Sequence, residues 1–369
     1  MANQDTNKAR EALQLLIDLC LPQEEETVSL PQDPDWGAFP DLARQHGLSP
    51  LVYHNMSKYN LWDKSNCPKE IRESLKMDFI YNFRRTELQR RELINITKAL
   101  ANASIPVIPY KGCFLSQLIY GDPYVRASAD IDIIVPREDT KKAWDILTGE
   151  MGYKGVAPSK GFVDVNKTNE YHFVVMKHPA ANNQPLHLLE VHWELVRSYN
   201  PLKVPIKKVW ESVTPFPLWG ITLYQPSHPI HFLMLAIHAI DDNWPLKSLI
   251  DLAAFHSSLS LCEREAVKKE AQLWVVYTLL EETLAKIMSL RTHVPYLESP
   301  LPSRREYGIH ILKRTMKHMG TWRDRLRYIT QTLTRPSFRD YDLVPGKGKS
   351  RILATIVRPY RLIKEWLLK

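Results

Sequence analysis

The chain has 369 residues, 44% hydrophobic and 24% charged, a composition that excludes a disordered or collagen-like protein and leaves room for two or three packed units. Its longest strongly apolar stretch, around Phe232–Ile240, is too short to span a bilayer, and the opening MANQDTNKAR lacks the apolar core of a secretory leader, so a cytoplasmic protein without a transmembrane segment is expected. The formal net charge is +8, and the four cysteines, Cys20, Cys67, Cys113 and Cys262, form no C-x-x-C pair, which speaks for reduced thiols and against a zinc ribbon or disulfide framework.

The first stretch, residues 1–103, reads as helical. Leu13, Leu16, Ile17 and Cys20 recur at helical spacing until Pro22 and the acidic run Glu24–Glu26. Further helices are expected over Trp36–His46, closed by Gly47, over Pro50–Tyr59, and over a long amphipathic run from Pro68 to Ala103. The pattern then changes, and residues 104–200 read as a small α/β unit. Ile105–Tyr110 reads as an edge strand, Gly112–Tyr120 as a helix, Ala129–Val135 as a strand and Glu138–Met151 as a helix ended by Gly152. Strands are expected at about Asn169–Met176 and Leu186–Leu195. Residues 201–300 return to helix, at Pro229–Ile240, Pro245–His256 and one or two more over Glu263–Ser289, followed by a proline-bearing linker at Val294–Pro302.

Residues 301–369 form a basic region: from Arg304 roughly seventeen Lys and Arg stand against about five Asp and Glu. Helices are expected near Arg304–Met319, Trp322–Thr334 and Arg351–Leu368, with a loop at Arg335–Ser350 and Pro359 poised to kink the last helix. Such a block suits nucleic acid, an anionic membrane or phosphorylated substrates, or is a solvated surface. The last helix is expected to pack its apolar side on its own domain, with peripheral membrane contact the less favoured reading.

The chemistry concentrates at Asp130-Ile131-Asp132. In a strand, residues two apart share a face, so both carboxylates project together while Ile131 and Ile133 face a core. Adjacent carboxylates repel unless a cation lies between them, and magnesium prefers such oxygen ligands. A lone D-x-D is more often an exposed pair; here it lies among apolar strand residues, after Lys111-Gly112 and Arg126. Lys111-Gly112 opens a helix, where free N–H groups and a positive dipole suit phosphate and a glycine permits close approach. On the strand Leu186–Leu195, Glu190, His192 and Glu194 fall on the polar face, and Glu190 is the candidate third carboxylate, as metal ligand or general base. The same face is equally consistent with a half-exposed strand.

The runs Tyr110-Lys111-Gly112, Leu118-Ile119-Tyr120-Gly121-Asp122-Pro123, Arg126, Asp130-Ile131-Asp132-Ile133-Ile134-Val135 and Leu189-Glu190-Val191-His192-Trp193 resemble the uncharacterised bacterial nucleotidyltransferase family called type 5, within the polymerase-β-type superfamily. His238, Trp244, Leu249, Asp251 and Leu252-Ala253 match its helical pattern, and Ala43–Leu51 and Arg358–Leu362 are also similar to it. The resemblance implies an α+β fold: a small mixed β-sheet nucleotidyltransferase core flanked by N-terminal and C-terminal helical regions. It implies two magnesium ions held by Asp130, Asp132 and Glu190, and an NTP such as ATP as co-substrate. Lys111 and Gly112 would meet its phosphates, and Arg126 would either do the same or pair structurally with Asp130. The superfamily has a serine after the glycine of this turn; here Cys113 stands there.

On the helical side, His238 and Lys247 read either as groups that reach the nucleotide or as structural residues, Lys247 then pairing with Asp251 four residues on. The implied activity is transfer of an NMP to a hydroxyl or phosphate of a small molecule, sugar phosphate or protein, with pyrophosphate released. Two alternatives stay open: an RNA- or tRNA-modifying nucleotidyltransferase of toxin type, using the basic C-terminal region, or a non-catalytic nucleotide-binding module.

Overall fold

A computed structural model describes residues 2–21, 36–156, 161–178 without 163 and 169, 187–197, 205–241, 245–274, 276–290, 322–334 and 351–367, with single positions or pairs at 34, 316, 336–337, 340 and 344. The linker at Val294–Pro302, the whole span Arg304–Met319 apart from Met316, Trp244 and most of Arg335–Ser350 lie outside the described residues.

Helix α1 covers Ala2–Cys20, α2 Phe39–Gln45, α3 Ser49–Lys58 and α4 Lys69–Asn102. Pro68 stands immediately before α4, whose 34 residues make a rod of about 50 Å. Strand β1 is Ile108–Pro109, and α5 is Gly112–Tyr120. Strand β2 is Ile131–Ile134, and α6 is Thr140–Asp145, continued by a π turn over Ile146–Glu150 up to Gly152 at φ +75°. Then come β3 (Lys154–Gly155), β4 (His172–Lys177) and β5 (His187–His192). Helix α7 (Ile206–Glu211) leads into a hairpin of β6 (Thr214–Leu218) and β7 (Ile221–Gln225). Helices α8 (His228–Asp241), α9 (Leu246–Ser258), α10 (Leu261–Leu273) and α11 (Tyr277–Ser289) follow. Two further helices span Trp322–Thr334 and Arg351–Leu367, the latter running through Pro359.

The fold is α+β with a small mixed sheet, as expected. The sheet runs β1-β2-β5-β4-β3. Among the described strands only β2 and β5 pair in parallel; β1 with β2, β5 with β4, and β4 with β3 are antiparallel. One face of the sheet carries Ile131, Ile133, Val135, Leu189, Val191 and Trp193, which bury against Leu93, Ile96 and Leu100 of α4, Ala143 of α6 and Leu147 of the turn that follows it. Burying a large apolar side chain contributes about 1.5–3 kcal/mol, so this layer fixes the register of β2 against β5. The helices before and after the sheet share a second core, in which Leu16, Ile17, Phe39 and Val52 meet Phe232, Leu249, Ile250 and Phe255, and which reaches Ile108, Tyr110 and Ile134 of the sheet's other side.

Three expectations need correction. The strand at Asp130 is shorter than Ala129–Val135: Asp130 lies in the bend before β2. The polar strand ends at His192, and Glu194 turns away to Arg137 at 3.3 Å. The last helix does not cover its apolar side among the described residues: Ile352, Ile356 and Tyr360 are exposed. The hairpin β6–β7 escapes the sequence reading because Pro215 and Pro217 interrupt its alternation.

Candidate active site

The parallel register sets Asp132 directly beside Glu190 and Ile134 beside His192. Across β5, His172 of β4 stands opposite His192. Partners in a ladder point to the same face, so Asp132, Glu190, His192 and His172 converge on the side away from the α4 layer. His192 Nε2 lies 3.3 Å from Asp132 Oδ1 and 3.4 Å from Glu190 Oε2. Among the described residues, Asp132, Glu190 and His192 each offer one ligand atom, all within 4.8 Å of one another.

The basic side of the site comes from the β1–α5 turn. Tyr110 N–H donates to Asp132 O at 3.0 Å, which holds the turn against β2. Lys111 then reaches Asp132 Oδ1 at 3.2 Å and lies 3.0 Å from His238 Nε2 of α8. Tyr110 O–H donates to Met234 O at 2.9 Å, and His231 Nε2 lies 3.2 Å from Tyr110 O, so α8 grips the turn at two points besides His238. Gly112 has φ +62°. A Cβ there would meet nothing nearer than Asp130 O at 3.7 Å, so backbone conformation rather than space calls for glycine. Cys113 faces the α4 core, and burial pushes its thiol up to about 12. Its side chain is part of that packing layer, on the opposite side from the carboxylates.

The charges are strongly coupled. Burial alone would raise Asp132, but Lys111 and the hydrogen bond from His192 hold it well below the usual carboxylate range. Glu190 is likewise held low: burial opposes, and the His192 hydrogen bond and His172 prevail. His192 is raised, its two carboxylate partners outweighing its burial. Asp130 is raised by burial and then by the charges of Asp132 and Glu190. Its carboxylate accepts from Ser128 Oγ at 3.2 Å. Asp130 therefore borders the tight group without being one of its three members.

Two further residues singled out in the sequence sit one layer back. Arg126 donates through Nε to Asp251 Oδ2 at 2.7 Å, and Tyr120 O–H donates to Asp251 Oδ1 at 2.9 Å. Both members of the ion pair are over nine-tenths buried. Asp251 thus pairs with Arg126 and Tyr120, and Lys247 instead donates to Ala127 O at 3.0 Å. Burial and then the charge of Arg126 push Lys247 down to about 8. Gly47, at φ +66°, lies against its stem, a Cβ there being 3.6 Å from Lys247 Cδ. The segment around Gly47 therefore supports the loop that carries Arg126 to Asp130.

The sequence model of the uncharacterised nucleotidyltransferase family matches residues 32–288, more than two-thirds of the chain. The chain belongs to this nucleotidyltransferase family. Among curated proteins, none matches it. Similar solved structures include the antibiotic-resistance factor ANT(2'')-Ia, at 15% identity and TM-score 0.34 over 53% of this chain and 95% of that one. Another is an antigenic nucleotidyltransferase-like protein from Paracoccidioides brasiliensis, at 12% identity and TM-score 0.30 over 58% of this chain and 94% of that one. The matched span holds every site residue named above, from Gly47 to Asp251. His192 was legible in the sequence as a polar-face residue, but its closeness to both Asp132 and Glu190 depends on the β2–β5 register. His172 carried no signal beyond its place in an apolar strand.

Proposed function

We propose that this nucleotidyltransferase moves the NMP unit of an NTP onto a hydroxyl or phosphate acceptor, with magnesium, and releases pyrophosphate. The observation that supports this most is the side-by-side setting of Asp132 and Glu190 on parallel strands, with Lys111 on the same carboxylate. The donor set fits a hard divalent cation: two carboxylates share one face, both held ionised although partly or wholly buried, with Asp130 next to them. Asp130, Asp132 and Glu190 would hold the ions, and His192 is near enough to join them or to orient the carboxylates. Bound there, magnesium supplies a positive clamp and polarises phosphoryl oxygen.

The rest falls to the chain itself. Lys111 offers its ammonium to the triphosphate, steadied by His238 from α8. The N-terminus of α5 at Gly112 would turn its positive dipole end toward a phosphate. Arg126 and Lys247 add positive charge from behind the 127–130 segment, Arg126 while paired with Asp251. Glu190, a quarter exposed where Asp132 is buried, accepts the proton of the acceptor hydroxyl. Four free cysteines, two of them buried, fit a reducing cytoplasm.

The test is incubation with each NTP labelled on its α-phosphate, with magnesium and with or without cell extract. Release of pyrophosphate together with label in a small-molecule, protein or RNA fraction is expected, and the fraction names the acceptor class. Absence of both with all four nucleotides would refute the proposal.

A further inference from the structure

The charge of the chain is divided. Residues 304–369 carry 17 of its 49 Lys and Arg but 5 of its 41 Asp and Glu, so this portion is +12 and residues 1–303 are −4. This basic portion lies beyond the family-matched span, which ends at residue 288. Within it the helices Trp322–Thr334 and Arg351–Leu367 pack on each other. Arg358 joins them: its Nε donates to Thr332 O at 2.6 Å, while its Nη1 and Arg361 Nε donate to Asp340, between the two helices in sequence, at 2.9 and 2.6 Å.

This packing inverts the usual amphipathic arrangement. The face of the last helix turned inward carries Ala354, Arg358 and Arg361, all buried or nearly so. The opposite face carries Ile352, Ile356 and Tyr360, 73%, 64% and 68% exposed. These recur every fourth residue and form one stripe. The helix before it presents its own stripe of Trp322, Leu326 and Leu333, all exposed, with exposed Arg323 and Arg325 beside it.

We propose that this C-terminal helical pair docks on a membrane surface of anionic phospholipid, its apolar stripes entering the headgroup boundary and its basic residues meeting the lipid phosphates. Charge complementarity selects this partner, since a polybasic segment gains free energy at an anionic bilayer and the apolar stripes gain more by leaving water. A second copy would bring one segment of net charge +12 against another. A nucleic acid would leave the Ile352, Ile356 and Leu326 side chains in water. The helices are bound to the surface and do not span it: no described helix is long and apolar enough to cross a membrane.

The test is sedimentation of the full chain with phosphatidylcholine vesicles, with and without phosphatidylglycerol. Binding to the anionic vesicles alone is expected, weakening as salt is added. Two double variants, Ile356→Glu with Tyr360→Glu and Arg323→Glu with Arg325→Glu, should each lower the vesicle-bound fraction about tenfold or more. Circular dichroism checks the fold, and the milder Ile356→Ser, with an intermediate loss, guards against a misfolded double variant. The proposal is overturned by no binding, by equal binding to neutral vesicles, or by variants that bind as the parent chain does. Light scattering that shows a dimer lost in the stripe variant, or RNA binding lost in it, also overturns it. The NTP-dependent transfer is measured separately, so neither result decides the other.

Discussion

Asp132 stands between opposed demands: it is almost wholly buried, yet two basic side chains keep it charged. Lys111 and His192 each reach the same oxygen, Oδ1. If Lys111 meets the triphosphate, Lys111→Met should lower kcat/KM about 10²–10³-fold at temperatures where the variant is still folded, and its thermal midpoint should also fall because buried Asp132 loses one of its two basic partners. Steady-state kinetics beside a melting curve separates that outcome from simple unfolding. If His192 orients or joins the metal ligands, His192→Gln should weaken metal affinity about 10–100-fold, read by calorimetric titration of the full chain with manganese as the probe. A variant that binds metal as tightly as the parent would remove His192 from that role.

At the scale of elements, the buried Arg126–Asp251 pair joins the loop before β2 to α9, and Tyr120 of α5 shares Asp251. Removing one partner of a buried pair leaves the other uncompensated, so Asp251→Ala should cost about 3–5 kcal/mol in chemical denaturation. A loss below about 1 kcal/mol would show that the pair is not what ties these elements together. Between α4 and β4, Glu92 accepts from Tyr153 O–H at 3.0 Å and from Lys177 Nζ at 2.9 Å. Burial would raise Glu92, but these two partners bring it below its ordinary value of 4.5. A depressed carboxylate stabilises fully above its unfolded value, and that contribution fades as pH falls through the lower folded value. Between about pH 5 and pH 3 the parent should therefore lose more stability than Glu92→Gln, measured by urea unfolding at each pH. Equal slopes would contradict the assignment.

For the molecule as a whole, what the sequence revealed follows from which forces are local. The 3.6-residue period of α4, the Pro68 start and the Gly152 stop are local signals, and the helices lie close to where they were expected. The alternation around Ile131 and Ile133 likewise marked the core face of β2, and with it Asp132 on the other. Pairing between distant strands is not local. No spacing could show that Asp132 stands beside Glu190, or that His192 reaches both, because a parallel register depends on how two apolar faces settle on one helix layer. The same limit applies to Cys113, whose side of α5 is decided by α4, and to Asp251, whose neighbour in sequence, Lys247, lost it to Arg126. The last helix shows the converse: its apolar side is legible in the sequence, but which face is covered depends on Arg358 and Arg361 meeting Thr332 and Asp340.

We propose that Asp132 and Glu190 act together in NMP transfer. This is tested most directly by following α-phosphate label from NTP to acceptor for the parent chain and for Asp132→Asn, each shown folded by its melting curve. The parent should transfer label and release pyrophosphate, and the folded variant should lose at least about 10²-fold of that activity. Undiminished transfer by Asp132→Asn would contradict the proposal.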